Sequence, residues 1–255
     1  MYHDVVASGR WDESGFPGAA AAHYKLDDDE FAHHLDTLGR SGLSFGTVDA
    51  RPTHSGSQCL LTFDDGGASA VRVGAALTMR NMRGHFFITT SRIGTPGFVS
   101  AQDLLGLRRD GHVIGSHSHT HPAEISRLPV QQLRHEWQRS VAVLGEILGE
   151  PVEVASIPGG FYSDTVARAA ESSGIRFLFT SEPTTRTGML DTCHVLGRYA
   201  LWRGMHAQRA LALARGQDGA RARQWLAWNV KKPIKRWAGP VYRFARTHLL
   251  GESPV

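Results

Sequence analysis

Two short stretches hold the residues whose types and spacing suit hydrolytic chemistry. Asp64 and Asp65 end the apolar run Cys59-Leu60-Leu61-Thr62-Phe63 and are followed by Gly66-Gly67. About fifty residues later, Val113-Ile114 leads into Gly115-Ser116-His117-Ser118-His119-Thr120-His121-Pro122. Each stretch reads as a buried strand that delivers polar groups at its end. Side chains alternate along a strand, so the two carboxylates diverge, one able to hold a metal while the other stays free as a base. His117 and His121, four apart, converge on one ion if the segment turns. Taken singly, an Asp pair after a strand is often a turn or a cap, and a His-rich run is often a solvated loop. In this order, each behind an apolar run, the two together are far more specific. Two imidazoles and one carboxylate leave positions open for water and substrate, and a divalent ion there lowers the pKa of bound water and polarises an acyl oxygen.

The elements that must position these groups alternate along the chain. A helix is expected over 27–38, with Asp27, Asp28 and Asp29 capping its start and Phe31, Leu35 and Leu38 at helical spacing. Residues 49–57 form a polar connection into the first motif. A helix over 68–82 would turn Val71, Ala75, Leu77 and Met82 inward. A strand follows over 84–89, and Ser100 caps a helix carrying Leu104, Leu105 and Leu107. After the strand at 112–115 comes a long helix over 129–148, striped by Leu133, Trp137, Val141, Leu144 and Leu148. Strands at 152–157 and 175–179 flank a helix over 163–173 closed by Gly174, and 195–201 is a last strand-like run. Regular alternation argues for α/β architecture with parallel strands. Every polar cluster follows a strand, and in a barrel of this class the C-terminal strand ends carry the active site.

Thr62-Phe63-Asp64-Asp65-Gly66 and His117-Ser118-His119-Thr120-His121-Pro122 resemble the first two motifs of the polysaccharide deacetylases, the NodB-homology family of carbohydrate esterases. The resemblance covers roughly residues 1–201. It implies a distorted (β/α) barrel of about seven strands and a divalent metal on Asp65, His117 and His121, with Asp64 as base. Position 119 is not a ligand in the family. The third motif matches Ser156-Ile157-Pro158-Gly159-Gly160, which makes Gly159 the backbone oxyanion donor and places Pro158 and Gly160 against substrate. Zinc suits this ligand set, and nickel, cobalt and iron are compatible with it. The Tyr2-His3 pair also matches the family's usual opening, where His3 is read as a structural residue at the barrel rim.

Three departures from the family pattern affect the chemistry. Many members carry an arginine that orients the catalytic aspartate where this chain has Ser156. Thr180-Ser181-Glu182-Pro183 stands in place of an Asp-rich fourth motif. Leu196-Gly197-Arg198 matches a Leu-x-His motif whose histidine protonates the leaving amine. Arginine does not give up its proton in proteins, so Arg198 is assigned to an anionic group on the substrate. His194 is the nearest histidine, but it falls at the wrong end of a strand that begins at 195. The expected activity is removal of an N-acetyl group from a sugar or glycan in bacterial polysaccharide metabolism. The alternatives are a catalytically impaired glycan-binding protein and a hydrolase of a small non-sugar amide.

The 255 residues suit one barrel-sized domain, 1–202, with a helical extension over 203–255. Two cysteines, Cys59 and Cys193, read as buried thiols rather than a disulfide framework. The opening Met1-Tyr2-His3-Asp4-Val5-Val6 lacks a basic region followed by an apolar stretch, and no apolar run reaches membrane-spanning length. The expected location is cytoplasmic, peripheral to the inner membrane surface. That last element comes from the extension. Residues 203–246 hold eleven of the 28 cations and one of the 24 acids, Asp218, with Trp225, Trp228, Trp237, Tyr242 and Phe244 interleaved. Such a segment is either a solvated helical appendix or a basic amphipathic surface for anionic membrane. Nucleic acid has no recognisable module behind it.

Overall fold

The computed structural model describes residues 1–48 and 58–237. The expected connection over 49–57 lies outside the described residues. In chain order the elements are β1 (Val5–Val6), α1 (Ala19–Ala22), β2 (Leu26–Asp27), α2 (Asp28–Gly39), β3 (Leu61–Phe63), α3 (Ala70–Thr78), β4 (Gly84–Ile88), α4 (Ala101–Arg109), β5 (Val113–Ser116), α5 (Val130–Leu148), β6 (Val154–Ser156), α6 (Asp164–Glu171), β7 (Phe177–Phe179), β8 (Thr187–Leu190), β9 (Cys193–Leu196), α7 (Ala207–Arg215) and α8 (Ala220–Trp237).

Seven strands form one curled sheet in the order β3-β4-β5-β6-β7-β9-β8. The first six are parallel, as the alternation predicts, but β8 runs antiparallel to β9 as an edge hairpin the sequence reading did not contain. The short pair β1-β2 was also not anticipated. Residues 1 and 2 link the first strand of the main sheet to the chain that follows its last parallel strand, β9. Tyr2 N–H donates to Thr62 O, and Asp64 N–H donates to Tyr2 O. On the other side, the Met1 nitrogen donates to Tyr199 O and Leu201 N–H donates to Met1 O. The opening dipeptide thus lies between β3 and the chain after β9, closing a distorted barrel.

Local chemistry explains the helix boundaries. Asp27 and Glu30 form a reciprocal capping box at α2, and Ser100 with Asp103 does the same at α4. Phe31, Leu35 and Leu38 are buried, as the helical spacing predicts. In α3 the inward face is Ala70, Val73, Gly74 and Leu77, while Val71 and Ala75 face solvent. Leu77 and Met82 are buried as expected, but Val71 and Ala75 are not, because α3 is apolar nearly all round and periodicity alone does not select a face. Tyr2 anchors the core beneath the site, stacked on Phe63 and edge-on to Phe31. Cys59 and Cys193 are free thiols.

The boundary at residue 203 does not mark where packing stops. Helix α7 lies against α2, and Ala210, Ala212 and Leu213 join the main core. No helix among the described residues is long and apolar enough to cross a membrane.

Candidate metal centre and catalytic aspartate

Asp65, His117 and His121 come together at the C-terminal ends of β3 and β5, with their donor atoms all within 4.8 Å of one another. Nε2 of His117 and Nε2 of His121 lie 3.4 and 3.5 Å from Asp65 Oδ1. His117 donates through Nδ1–H to Ser156 O at 2.9 Å, which leaves the Nε2 lone pair for a ligand. Burial and the neighbouring His117 push His121 down to about 4, so its imidazole is neutral at physiological pH. Burial lowers the His117 pKa, but the carboxylates of Asp64 and Asp65 outweigh it and raise it above the usual imidazole range, so a cation arriving at Nε2 would displace a proton there. Two imidazole nitrogens and one carboxylate oxygen, converging within coordination reach, fit a single divalent ion.

The loop that delivers the histidines is held under strain. Six non-glycine residues among those described have positive φ, and three of them are Asp65, Ser118 and His121. Such conformations cost about 1–3 kcal/mol each and persist where the surroundings over-determine them. Here the restraints are explicit. Glu136, buried on α5, accepts from His119 N–H, Thr120 N–H and the Thr120 hydroxyl. Ser118 Oγ accepts from His121 N–H, and Ser116 Oγ accepts from Ser118 N–H. His119 points away to Thr90 Oγ1 and takes no part in the cluster, in line with its exclusion as a ligand.

Asp64 diverges from Asp65 as the strand alternation requires and meets Arg198. Nη1 of Arg198 donates to Asp64 Oδ1 at 2.7 Å and Nη2 to Oδ2 at 2.9 Å. Nη2 also donates to Ser156 Oγ, Nη1 to Thr62 Oγ1, and Nε to Thr180 O. All five donors of this guanidinium are engaged, and the residue is 5% exposed. Assignment of Arg198 to an anionic substrate group is therefore corrected: it has no free donor and no exposed edge. Arg198, from the segment after β9, thus reaches both Ser156 and Asp64. Burial alone would raise the Asp64 pKa, but the charge of Arg198, then that of His117, outweighs it and holds the carboxylate ionised.

His3, expected as a structural residue at the barrel rim, shares with Asp64 the wall of a small cavity of about 10 Å³, which brings it to the site. Its ring packs on Tyr24 at 5.0 Å. The available signal was its place directly after Tyr2, but only barrel closure carries that position to the site. His194 stacks on Phe177 near the start of β9, away from the strand ends that carry the cluster, as its position implied.

The third-motif loop follows Ser156, whose carbonyl accepts from His117 and whose hydroxyl donates to Asp64. Gly159 (φ 61°) and Gly160 (φ 69°) occupy the left-handed region, and a side chain at Gly160 would collide with Ser181 at 2.6 Å. Gly159 is exposed, while Pro158 is buried beneath it.

Comparison with known proteins agrees with this geometry. Residues 51–178 match the family model described as polysaccharide deacetylase. The chain belongs to the polysaccharide deacetylase family. A Bacillus subtilis (strain 168) protein described as "putative polysaccharide deacetylase YxkH" is 24% identical over 176 residues, covering 68% of this chain. The chain spans 57% of that relative's length. Among solved structures, the Streptococcus pyogenes deacetylase PplD in complex with acetate superposes with a TM-score of 0.70 at 17% identity, covering 84% of this chain and 96% of that one. IcaB from Ammonifex degensii gives 0.66 at 21% identity over 84% and 96% of the two chains. A Bacillus cereus polysaccharide deacetylase gives 0.70 at 18% identity, over 84% and 67%. At these identities the superpositions show the distorted barrel fold itself.

Proposed function

We propose that this polysaccharide deacetylase family member is a metal-dependent hydrolase that removes an N-acetyl group from a sugar or glycan in bacterial polysaccharide metabolism. The observation that carries the reading is the pairing of a convergent Asp65-His117-His121 set with a separate carboxylate, Asp64, held ionised by Arg198. A protein that only binds glycan has no need of a buried base maintained at that expense of desolvation. Zinc fits the nitrogen and oxygen donors best. A bound divalent ion would supply an activated water at neutral pH and polarise the acetyl oxygen.

The chain's own residues provide the remaining steps. Asp64 accepts the proton of the attacking water at Oδ1, which keeps a lone pair beyond the one given to Arg198, whereas Oδ2 takes both Arg198 and the Ser156 hydroxyl. The N–H of Gly159 donates to the developing oxyanion, and exposed Gly159 with half-buried Gly160 forms the wall against which a sugar ring rests; the expected contact from Pro158 is corrected, since it lies buried beneath them. The leaving nitrogen needs a proton that Arg198 cannot give. We assign that role to His3, the imidazole that lines one small cavity together with Asp64.

The test is acetate release from a panel of N-acetylated glycans, with metal content measured on the same samples. His117→Ala and His121→Ala should lose bound metal. Asp64→Asn should keep the metal and lose turnover by about 100-fold or more. His3→Ala should lose amide turnover on the same scale yet retain hydrolysis of 4-nitrophenyl acetate, whose leaving group departs without protonation. Wild-type protein that holds metal but releases no acetate from any glycan would leave the binding-protein or small-amide alternative. Equal losses on amide and activated ester would remove His3 from the acid role.

A further inference from the structure

Helix α8 is amphipathic with its apolar side outward. Trp225, Leu226 and Val230 are 50%, 58% and 55% exposed, and Ala222 is exposed on the same face. The inward side is held largely by polar groups. Gln224 pairs with both N–H and O of Ala200 at 2.9 Å. Arg221 donates to Leu213 O and Ala214 O, both at 2.7 Å, and lies over the Tyr199 ring. A surface helix of a soluble domain normally has the reverse arrangement. The charge of the sequence that contains it is equally one-sided: residues 203–246 carry a formal +10, while the rest of the chain carries −6. Exposed Arg223 borders the apolar stripe.

We infer that the outward face of α8 docks on an anionic lipid bilayer, with Trp225, Leu226 and Val230 entering the headgroup boundary and the surrounding cations held by lipid phosphates. An apolar stripe alone would suit a second copy of the chain. A segment of +10 disfavours that pairing, because two copies would bring like charges together, and it favours a negatively charged surface. The position of the helix links docking to the site. Trp228 packs beside Gly160, so close that a Cβ added there would lie 3.2 Å from its ring. A bilayer on the outward face of α8 would therefore be separated from the third-motif loop by the thickness of one helix, about 10 Å. Docking itself is measured without turnover and stands apart from the deacetylase assignment.

The experiment is flotation of the full chain with vesicles of phosphatidylcholine alone or mixed with phosphatidylglycerol, alongside sedimentation analysis of the free protein. Wild type should float with the anionic vesicles only, and raising salt from about 0.1 to about 1 M should release it. The variant Trp225→Ser/Leu226→Gln/Val230→Gln should keep the wild-type melting temperature and bind at least about tenfold more weakly. If that variant does not melt cooperatively, Leu226→Gln and Arg223→Glu, each altering one exposed side chain, carry the same comparison. Failure of wild type to float, equal flotation with neutral vesicles, undiminished binding by the variants, or a wild-type dimer that the variants dissolve would each overturn the inference.

Discussion

Burial by itself would drive the Asp64 carboxyl toward its neutral form, and the surrounding charges reverse that tendency, Arg198 first. Replacing Arg198 with Met would leave a buried carboxylate without its counter-charge. A loss of about 3–5 kcal/mol in stability is expected, together with at least about a 100-fold loss of turnover. Arg198→Lys keeps a charge but offers a point donor instead of a fork, so it should fall between Met and wild type on both measures. Thermal melts and acetate release on the two variants check this; an Arg198→Met protein with wild-type turnover would exclude Arg198 as the group that positions the base. Both partners were visible in the sequence as candidate site residues. Their pairing was not, because it joins positions 134 apart across the closed barrel. Asp65, His117 and His121 were legible because strand alternation and a four-residue spacing are local properties.

Helices and strands are tied together here by buried neutral histidines. His112 follows α4, donates through Nε2 to Gly74 O in α3 at 3.1 Å, and accepts at Nδ1 from Gly84 N–H at the start of β4 at 3.2 Å. A second proton would set two hydrogens against each other at Nδ1, and burial holds the His112 pKa below the usual value of about 6.5. His34 is also pushed down by burial, between the Tyr2 hydroxyl and Met205 O. As pH falls through about 6.5, the unfolded chain takes up these protons first. The stability present above that pH should therefore decline from about 6.5 down through the lowered values. Melting temperatures measured between pH 7 and pH 5 should fall for wild type and fall less steeply for His112→Asn. An unchanged slope in that variant would remove His112 as a source of acid sensitivity. At this scale the caps at Asp27 and Ser100 were readable, since each box closes over three residues. The phase of α3 was not, because an all-round apolar helix takes its orientation from its neighbours.

Closure of the whole barrel depends on its opening dipeptide. Tyr2 is buried between Phe31 and Phe63, and its backbone pairs with Thr62 in β3 and with Asp64 just after it. Tyr2→Ala should cost about 3–5 kcal/mol through lost aromatic burial, and it should also depress turnover because His3 is positioned by the same backbone. Tyr2→Phe removes only the hydroxyl contact with His34 and should cost about 1 kcal/mol with turnover kept. Denaturant titration and acetate release on the pair measure both effects. If Tyr2→Ala melted like wild type, closure through this dipeptide would not be a source of stability.

The alternation of elements, the carboxylate pair, the histidine spacing and the charge of the last fifty residues were determined by the sequence itself. Each is a short-range pattern that the periodicity of a strand or helix turns directly into geometry. Barrel closure, and with it the arrival of His3 and Arg198 beside Asp64, was decided only by the tertiary structure. So was the outward apolar face of α8. These depend on which surfaces curl together when a seven-stranded sheet packs its helices, a long-range outcome of twist and burial that no local spacing encodes.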